Sequence, residues 1–260
     1  MRDDLGNRMK SNYENRTRTY LPRRTNTIIR IDGKAFHTYT KGRKKPFDDE
    51  LMYNMDLTAT ALCEEIQGAK LAYVQSDEIS ILVTDYDKEG TCAWFDGNIQ
   101  KICSVSASIA TAEFNQNELV LFAEEAKIGE GFGGFSELDI ALVKPALFDS
   151  RVFIIPEISE VANYFLWRCQ DCSRNSVQMV ARSLYSHKEC ENKNSSELQD
   201  MIQAKGRNWN DLSNEKKYGR IIVKLEATEE GDRSYWLTLG AKNYTYDYWL
   251  KMVKERINKK

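Results

Sequence analysis

The stretch that most constrains the fold is residues 72–83, with the sequence AYVQSDEISILV, in which two runs of strand-forming residues flank a polar bend. β-Branched and aromatic residues favour strands, whereas Ser and Asp favour turns because their side chains bond to nearby backbone. The segment therefore predicts a hairpin with Ser76, Asp77 and Glu78 at its tip. An acidic pair is costly to bury unless a cation is present, and a divalent metal satisfies that need. A solvated surface turn is the alternative interpretation of the pair taken alone.

A second predicted strand, residues 25–31, also runs into an acidic residue, because Asp32 and Gly33 follow it directly. The glycine allows the chain to turn and a ligand to approach the backbone closely. If the two strands are sheet neighbours, Asp32 and Asp77 come together in the arrangement that holds two Mg²⁺ ions for phosphoryl or nucleotidyl transfer. Because side chains alternate along a strand, Glu78 is expected to point away from Asp77, as an outer ligand or as a support to the site.

Three motifs stand together in this chain: RIDGKAFH at residues 30–37, KPFD at residues 45–48 and YVQSDEIS at residues 73–80. With FDSR at 148–151 and YFLWR at 164–168, they resemble the signature of the tRNA-His guanylyltransferase family, most closely its bacterial and archaeal guanylyltransferase-like members. The resemblance implies a polymerase-palm-like fold and nucleotide addition to the 5′ end of tRNA in the 3′-to-5′ direction. It also implies two Mg²⁺ ions as cofactors, GTP or ATP as substrates, and a homotetramer built as a dimer of dimers.

The resemblance further implies roles for individual residues. Asp32, Asp77 and Glu78 are expected to be catalytic, and the two aspartates with the Gly33 carbonyl are expected to hold the metal ions. In the resembling proteins the amides after the Asp-Gly pair hold the triphosphate, which places residues 33–37 around it here. Backbone amides in a turn form a natural anion-binding nest. Asp48 is also expected to cap a helix. The residues predicted to contact the nucleotide are Arg30, Gly33, Lys34, Ala35, Phe36, His37, Lys45, Asp48, Ser76 and Lys101.

The segment after Trp167 and Arg168 departs from the eukaryotic members of that family, which carry HINNLYN there. This chain has SRNSVQM at residues 173–179 and retains only the first asparagine, Asn175. The departure favours template-dependent repair of tRNAs truncated at the 5′ end over the alternative, addition of one extra 5′ G to tRNA-His. Asn175 and Ser176 are expected to face the incoming tRNA end.

Two rival classes share part of this pattern. A nucleotide cyclase or a conventional 5′-to-3′ polymerase also places two carboxylates at a hairpin, but lacks the context of His37 and of residues 45–48. A catalytically silent RNA-binding protein is the rival without enzymatic activity. The intact set of Asp32, Asp77 and Glu78 argues against it.

Charge is distributed unevenly along the chain, although the net charge is only −2. Residues 1–45 contain 13 basic and 4 acidic side chains, whereas the remainder contains 24 basic and 35 acidic ones. A basic N-terminal part on an acidic body indicates local phosphate binding, with a solvated basic loop as the alternative. No apolar run approaches the ~20 residues that span a bilayer, and no signal peptide is recognisable at the start. The expectation is a cytoplasmic protein that does not contact membranes.

The chain has six cysteines, which in a protein without a secretory signal are expected to be reduced thiols. The spacing of Cys169, Cys172, His187 and Cys190 is similar to that of a zinc-ligand set, so zinc is an alternative. The first two cysteines lie in a helical pattern rather than in a zinc-binding turn, which argues against it.

The order strand, helix, two strands, helix predicts an α+β fold, a palm-like or ferredoxin-like split βαβ antiparallel sheet with helices on one face. C-terminal helices and a small β-hairpin are expected in addition. We expect a palm-like catalytic core with a basic arm at 1–156 and a helical and hairpin region at 157–260. Further strands are expected at 70–75, 79–84, 151–155, 220–227 and 234–239. Helices are expected at 48–67, at 98–115, from residue 157 onward and at 244–257. The expected connections are a flexible Gly-rich connector at 129–140, a mobile loop at 192–196 and a turn at 229–232.

Overall fold

The computed structural model describes residues 3–129, 144–226, 233–242 and 245–258. The strands in these ranges are β1 (Thr27–Gly33), β2 (Ala69–Gln75), β3 (Glu78–Val83), β4 (Phe148–Ile154), β5 (Arg220–Leu225) and β6 (Tyr235–Gly240). They form a sheet in the order β4-β1-β3-β2-β5-β6, and every neighbouring pair is antiparallel. β3 therefore lies between β1 and β2, which run in the same direction, as in the predicted split βαβ arrangement.

Helices connect and cover the strands. The α-helices are α1 (Asp4–Asn12), α2 (Phe36–Tyr39), α3 (Asp49–Glu65), α4 (Ile99–Gly129), α5 (Ile158–Leu184), α6 (His187–Cys190), α7 (Ser195–Ala204), α8 (Asn214–Tyr218) and α9 (Tyr246–Ile257). Short 3₁₀ turns occur at Glu14–Thr17, Trp94–Gly97 and Trp209–Asp211. α3 begins where predicted, because the Asp48 side chain accepts a hydrogen bond from the Leu51 amide at 3.0 Å.

The alternation of side chains along the strands gives the sheet two apolar faces. On one face, Ile29 and Ile31 of β1 pack into a cluster with side chains of α3 and α4. On the other face, Ile28 of β1 and Leu82 of β3 pack with side chains of α5 and α9. A third cluster joins the C-terminal half of α5 to α7. Both faces are thus covered, which leaves the ends of the strands as the place for a site.

The predicted fold class is confirmed, and three local features differ from expectation. The C-terminal hairpin of β5 and β6 extends the main sheet, because β5 pairs with β2. α4 continues well past residue 115, to Gly129. The prediction of a mobile loop at 192–196 was wrong for its last residues, where α7 begins. Asn194 caps α7, and the Glu197 carboxylate accepts a hydrogen bond from the Asn194 amide at 2.8 Å. The Gly-rich connector beyond Gly129 and the turn at 229–232 lie outside the described residues.

None of the helices in the described ranges combines the length and apolar character that a membrane crossing requires. The division of the chain at residue 156 into a catalytic core and a C-terminal region stays a prediction.

Candidate active site

The acidic bend between β2 and β3 is formed by Ser76 and Asp77. Ser76 adopts the left-handed conformation with φ 47°, which makes the bend tight. The Gly33 amide donates a hydrogen bond to the Asp77 carbonyl at 3.0 Å, so the end of β1 is joined to the bend. Asp32 lies directly opposite Glu78 in the pairing of β1 with β3. The two strands are therefore neighbours, as predicted, and Asp32 and Asp77 lie at the same end of the sheet.

The Asp77 carboxylate is in an unfavourable place for a negative charge. Burial raises its pKa above the usual range, and the nearby carboxylates of Asp32 and Glu78 raise it further, while the Ser76 side chain acts in the opposite direction. Within the described ranges, no basic side-chain nitrogen lies within 4.0 Å of the Asp77 oxygens. A largely buried carboxylate with acidic neighbours and no basic partner fits a bound divalent cation.

Glu78 has a different environment, although it follows Asp77 directly. The Arg168 guanidinium donates to both of its oxygens, from Nε at 2.7 Å and from Nη2 at 2.5 Å. Arg30 Nη2 donates to Glu78 Oε2 at 2.6 Å and also lies 3.5 Å from Asp32 Oδ2. Because two arginines occupy its oxygens, Glu78 is not free to bind a metal. Of the predicted roles, support of the site is the one that this geometry favours, and the catalytic role is not.

A cavity of about 410 Å³ opens beside the bend. Its lining residues are Gly33, Ala35, Phe36, His37, Thr40, Leu51, Ser76 and Asp77. Ala35 is left-handed with φ 54° and precedes α2, so the chain turns sharply there. In the described part of the chain, the amides of Ala35, Phe36 and His37 donate to no backbone carbonyl. Such a turn of unpaired amides can bind an anion.

Two of the five residues predicted around the triphosphate, Gly33 and Lys34, have their amides bonded elsewhere. The Gly33 amide is bonded to Asp77 as described above, and the Lys34 amide donates to the Leu147 carbonyl at 2.8 Å. These two amides hold β1 to its surroundings and are not available to a phosphate.

Gly33 is required because an aromatic ring lies against its backbone. A Cβ atom at this position would be 2.2 Å from Cδ2 of Phe36, and that ring is fixed by Phe114 and Phe148 at centroid distances of 5.6 and 5.2 Å. We expect Gly33→Ala to displace α2 and weaken GTP binding about tenfold, since overpacking costs roughly 1–3 kcal/mol. Calorimetric titration with GTP measures this. Gly90→Ala, where a Cβ meets no atom within 4 Å, is the matched control, and equal affinities for the two variants would contradict the role of this turn.

Comparisons with known proteins show to which family the chain belongs. The family model of tRNAHis guanylyltransferase, Thg1, matches residues 6–156. The chain belongs to the tRNAHis guanylyltransferase family. A bacterial tRNA(His) guanylyltransferase-like protein solved in complex with ATP is 42% identical, covers 96% of this chain and 99% of its own, and superposes with a TM-score of 0.79.

More distant guanylyltransferases are similar over most of the chain. The tRNA(His) guanylyltransferase of Debaryomyces hansenii is 28% identical over 222 residues, which are 80% of this chain and 77% of that protein. The Saccharomyces cerevisiae structure is 20% identical, covers 83% of this chain and 91% of its own with a TM-score of 0.66, and shows the shared fold alone. The resemblance inferred from the three motifs is confirmed, and with it the nucleotidyltransferase class.

In this guanylyltransferase-family chain, a second cavity of about 80 Å³ adjoins the first, because Ser76 lines both. Asp48, Asn175 and Ser176 also line it, so four of the residues predicted from the motifs are brought together. The Asp48 carboxylate already accepts hydrogen bonds from two backbone amides as a helix cap. The Ser176 hydroxyl is buried and accepts a hydrogen bond from Trp209 Nε1 at 2.9 Å. Asn175 is exposed at the rim.

Other predicted nucleotide contacts are not gathered at these cavities. Lys34 and Lys45 are exposed and line neither cavity. Lys101 lies over the Phe95 ring at 5.8 Å. Its neighbour Ile102 packs beside Thr27, at the opposite end of β1 from Asp32. Thr27 and Asp32 are five positions apart, which corresponds to roughly 17 Å at 3.4 Å per residue. Within a single chain, the structure therefore does not bring Lys101 to the acidic bend.

Sequence reasoning missed the arginine that holds Glu78. Arg168 is only 5% exposed and lies on α5, ninety positions from Glu78. Tyr164, one turn earlier, has its hydroxyl 2.8 Å from the Ser80 hydroxyl on the same strand as Glu78. An arginine on the apolar face of a predicted helix was the available signal, because a buried charge needs a partner.

The alternative zinc set is not assembled. Cys169 and Cys172 belong to the cluster between the sheet and α5, Cys190 belongs to the cluster around α7, and His187 is exposed. Burial raises the pKa of Cys169 to about 12 and that of Cys172 to about 11, which keeps both thiols protonated. In the described part of the chain, no three His, Cys, Asp or Glu side chains come together as a metal-binding group.

Proposed function

We propose that this protein adds nucleotides to the 5′ end of tRNA in the 3′-to-5′ direction, as a template-dependent nucleotidyltransferase that repairs 5′-truncated tRNA. One observation carries the proposal: a cavity of about 410 Å³ is bounded on one side by the Asp77 carboxylate and on the other by the turn at Ala35, Phe36 and His37. A carboxylate facing an anion-binding turn is what a nucleoside triphosphate with its cation needs. The 42% identity to a bacterial relative solved with ATP supports the same assignment.

Asp32 and Asp77, with the carbonyl of Gly33, are the residues that would hold Mg²⁺. The fit rests on the character of Asp77, whose pKa is raised by burial and acidic neighbours and which lacks a basic partner among the described residues. When bound, Mg²⁺ supplies charge neutralisation at the attacking and leaving oxygens of a phosphoryl group.

The chain's own residues bind and orient the reactants. The turn of Ala35, Phe36 and His37 binds the triphosphate, and the smaller cavity beside Asp48 and Ser76 receives the rest of the nucleotide. Arg168 and Arg30 fix Glu78, and Arg30 in turn orients the Asp32 carboxylate. Arg151 Nη2 also lies 3.6 Å from Asp32 Oδ2, so two guanidinium groups orient this carboxylate.

The reaction proceeds in two steps. An RNA with a 5′ monophosphate is first activated: its 5′-phosphate oxygen forms a bond to the α-phosphorus of ATP or GTP, and the bond between the α- and β-phosphates breaks to release pyrophosphate. An RNA with a 5′ triphosphate needs no activation. The 3′-hydroxyl oxygen of the incoming nucleotide then forms a bond to the activated 5′ phosphorus. The bond to AMP, GMP or pyrophosphate breaks, and the hydroxyl proton is released to water.

The choice of RNA follows from α5. Asn175 and Ser176 line the smaller cavity, but of the eukaryotic HINNLYN segment only the first asparagine, Asn175, is retained. Without that segment, a dedicated contact for the extra G of tRNA-His has no counterpart here, and pairing with the opposite RNA strand is the remaining source of selectivity.

The experiment is incubation of a tRNA lacking its first nucleotide with Mg²⁺ and each of the four labelled NTPs. We expect extension at the 5′ end only with the NTP complementary to the unpaired base. Addition of G regardless of the opposite base would favour the tRNA-His guanylyltransferase alternative. Extension at the 3′ end, or none with any NTP, would contradict the proposal.

The assembly and cellular location stay predictions. The family resemblance predicts a homotetramer, which light scattering on the purified full chain measures. A tRNA-processing role predicts a cytoplasmic protein.

A further inference from the structure

One large aromatic side chain lies exposed beside the acidic bend. Trp167 on α5 is 48% exposed, although it adjoins the buried residues Tyr164 and Arg168. The helix covers one face of the sheet, but the Trp167 side chain is not needed to fill the core there. Its ring is therefore available to a ligand.

The indole is held in place rather than left to move. Its ring lies 4.5 Å from the Arg168 guanidinium carbon and makes an edge contact with Tyr164 at 6.0 Å. Arg168 is itself fixed by its two hydrogen bonds to Glu78. A pre-positioned aromatic ring loses little conformational entropy when it binds, which favours affinity.

The same contacts connect Trp167 to the reaction centre. Arg168 binds Glu78, Glu78 binds Arg30, and Arg30 Nη2 lies 3.5 Å from Asp32 Oδ2. Only these three side chains separate the indole from Asp32. A flat ligand stacked on Trp167 would therefore be linked to Asp32 through these contacts.

The surface around Trp167 suits RNA. Asn163, Gln170 and Arg174 are exposed on α5 at spacings of four, three and seven residues from it, so they share its side of the helix. Asp171 lies on the same side and pairs with Arg174 at 3.0 Å. Arg151 on β4 is 51% exposed and lies opposite Arg30 in the strand pairing, which places it on the sheet face that α5 covers. Its guanidinium pairs with Asp149 at 3.0 Å and lies 3.6 Å from Asp32 Oδ2, so it links this surface to the acidic end of β1. Amide and guanidinium groups bind phosphate oxygens and base edges, and single-stranded bases stack on aromatic rings.

We propose that Trp167 is a stacking platform for the first unpaired RNA base opposite the missing 5′ nucleotide. The proposal rests on the function proposed above and adds a residue that holds the templating strand in place. The indole ring stacks equally on each of the four bases, so Trp167 binds the RNA without selecting its sequence. The incoming nucleotide is then selected only by its pairing with the template base.

The test uses the full-length protein and a tRNA lacking its first nucleotide, with 2-aminopurine at the unpaired position opposite the gap. Unpaired 2-aminopurine is bright and is quenched when it stacks. We expect the wild-type protein to quench it and Trp167→Ala to bind the RNA about tenfold more weakly with most of the quenching lost. Trp167→Phe, which retains a ring, should bind the RNA within about threefold of wild type.

Three controls keep the result specific to stacking. GTP affinity should be unchanged in Trp167→Ala, since the indole lines neither cavity. The melting curve of Trp167→Ala should show a protein that is still folded at the assay temperature, although the contacts with Arg168 and Tyr164 are lost. Tyr235→Ala removes an aromatic of 55% exposure at the far edge of the sheet and should bind RNA normally. Undiminished quenching and affinity in Trp167→Ala would overturn the proposal, as would a loss confined to GTP binding. Failure of the wild-type protein to extend the RNA would instead refute the underlying function.

Discussion

Replacing Asp77 by Asn is expected to abolish nucleotide addition and, at the same time, to raise the melting temperature of the metal-free protein. The activity is lost because the amide cannot replace a charged metal ligand, and several kcal/mol of transition-state stabilisation correspond to about a thousandfold or more in rate. The stability rises because the substituted amide would carry no charge next to Asp32 and Glu78, whereas the Asp77 carboxylate is partly buried with no basic partner among the described residues.

The pH dependence of this effect has a definite sign. The folded-state pKa of Asp77 is raised above its ordinary value of 3.8, so the unfolded chain releases this proton first as the pH rises. The contribution of Asp77 to stability is therefore fully present below its ordinary pKa and is lost as the pH rises through the raised folded value. Melting curves of wild type and Asp77→Asn in EDTA should diverge across that window, with the variant more stable at neutral pH.

The same melting curves in Mg²⁺ provide the control. Wild type should gain stability when Mg²⁺ is added, because the ion binds the folded state, and Asp77→Asn should gain much less. A variant that is less stable than wild type in EDTA, or that keeps a near-normal rate, would contradict the role assigned to Asp77.

Replacing the neighbouring Glu78 by Ala is expected to have the opposite effect on stability. Glu78 is 5% exposed and compensates the charges of Arg168 and Arg30. Removing one partner of a buried ion pair costs about 3–5 kcal/mol, which corresponds to a fall of roughly 10 °C in melting temperature for a chain of this size. Addition activity should fall as well, because Arg30 loses the contact that directs it toward Asp32.

Thermal unfolding of three variants separates this effect from a general loss of acidic charge. Glu64→Ala removes an exposed glutamate of α3 and should change stability by less than about 0.5 kcal/mol. Glu78→Gln keeps the shape and should destabilise less than Glu78→Ala. If Glu78→Ala melts like Glu64→Ala, the arginine network does not hold this end of the sheet.

The local parts of the site were predictable from the sequence. The strand, bend and strand around Asp77 follow from residue type and alternation, and the convergence with Asp32 follows once β1 and β3 are neighbours. The contacts of Glu78 were not predictable, because Arg168 comes from a helix ninety positions away and no local pattern pairs them. Two neighbouring acidic residues thus look alike in the sequence but have different partners in the fold.

Other differences have equally specific causes. The prediction that Lys101 contacts the nucleotide rested on family resemblance alone. Such a resemblance does not indicate at which end of the sheet the helix that carries Lys101 begins. The Gly33 and Lys34 amides were expected to bind phosphate, but long-range carbonyls of Asp77 and Leu147 accept their hydrogen bonds. Asn194 and Glu197 stand at capping-box spacing, which indicates the start of α7. The prediction missed this helix because a polar composition is also typical of a loop.

The central claim is that Asp32 and Asp77 hold the divalent ions against a triphosphate bound at the turn of Ala35, Phe36 and His37. The most direct test is a crystal structure with Mn²⁺ and a non-hydrolysable GTP analogue, in which anomalous scattering locates the metal. We predict anomalous peaks bonded to both aspartates, with the triphosphate at the three amides and Glu78 still paired with Arg168. Mn²⁺ bound away from Asp32 and Asp77, or a triphosphate outside this cavity, would contradict the account.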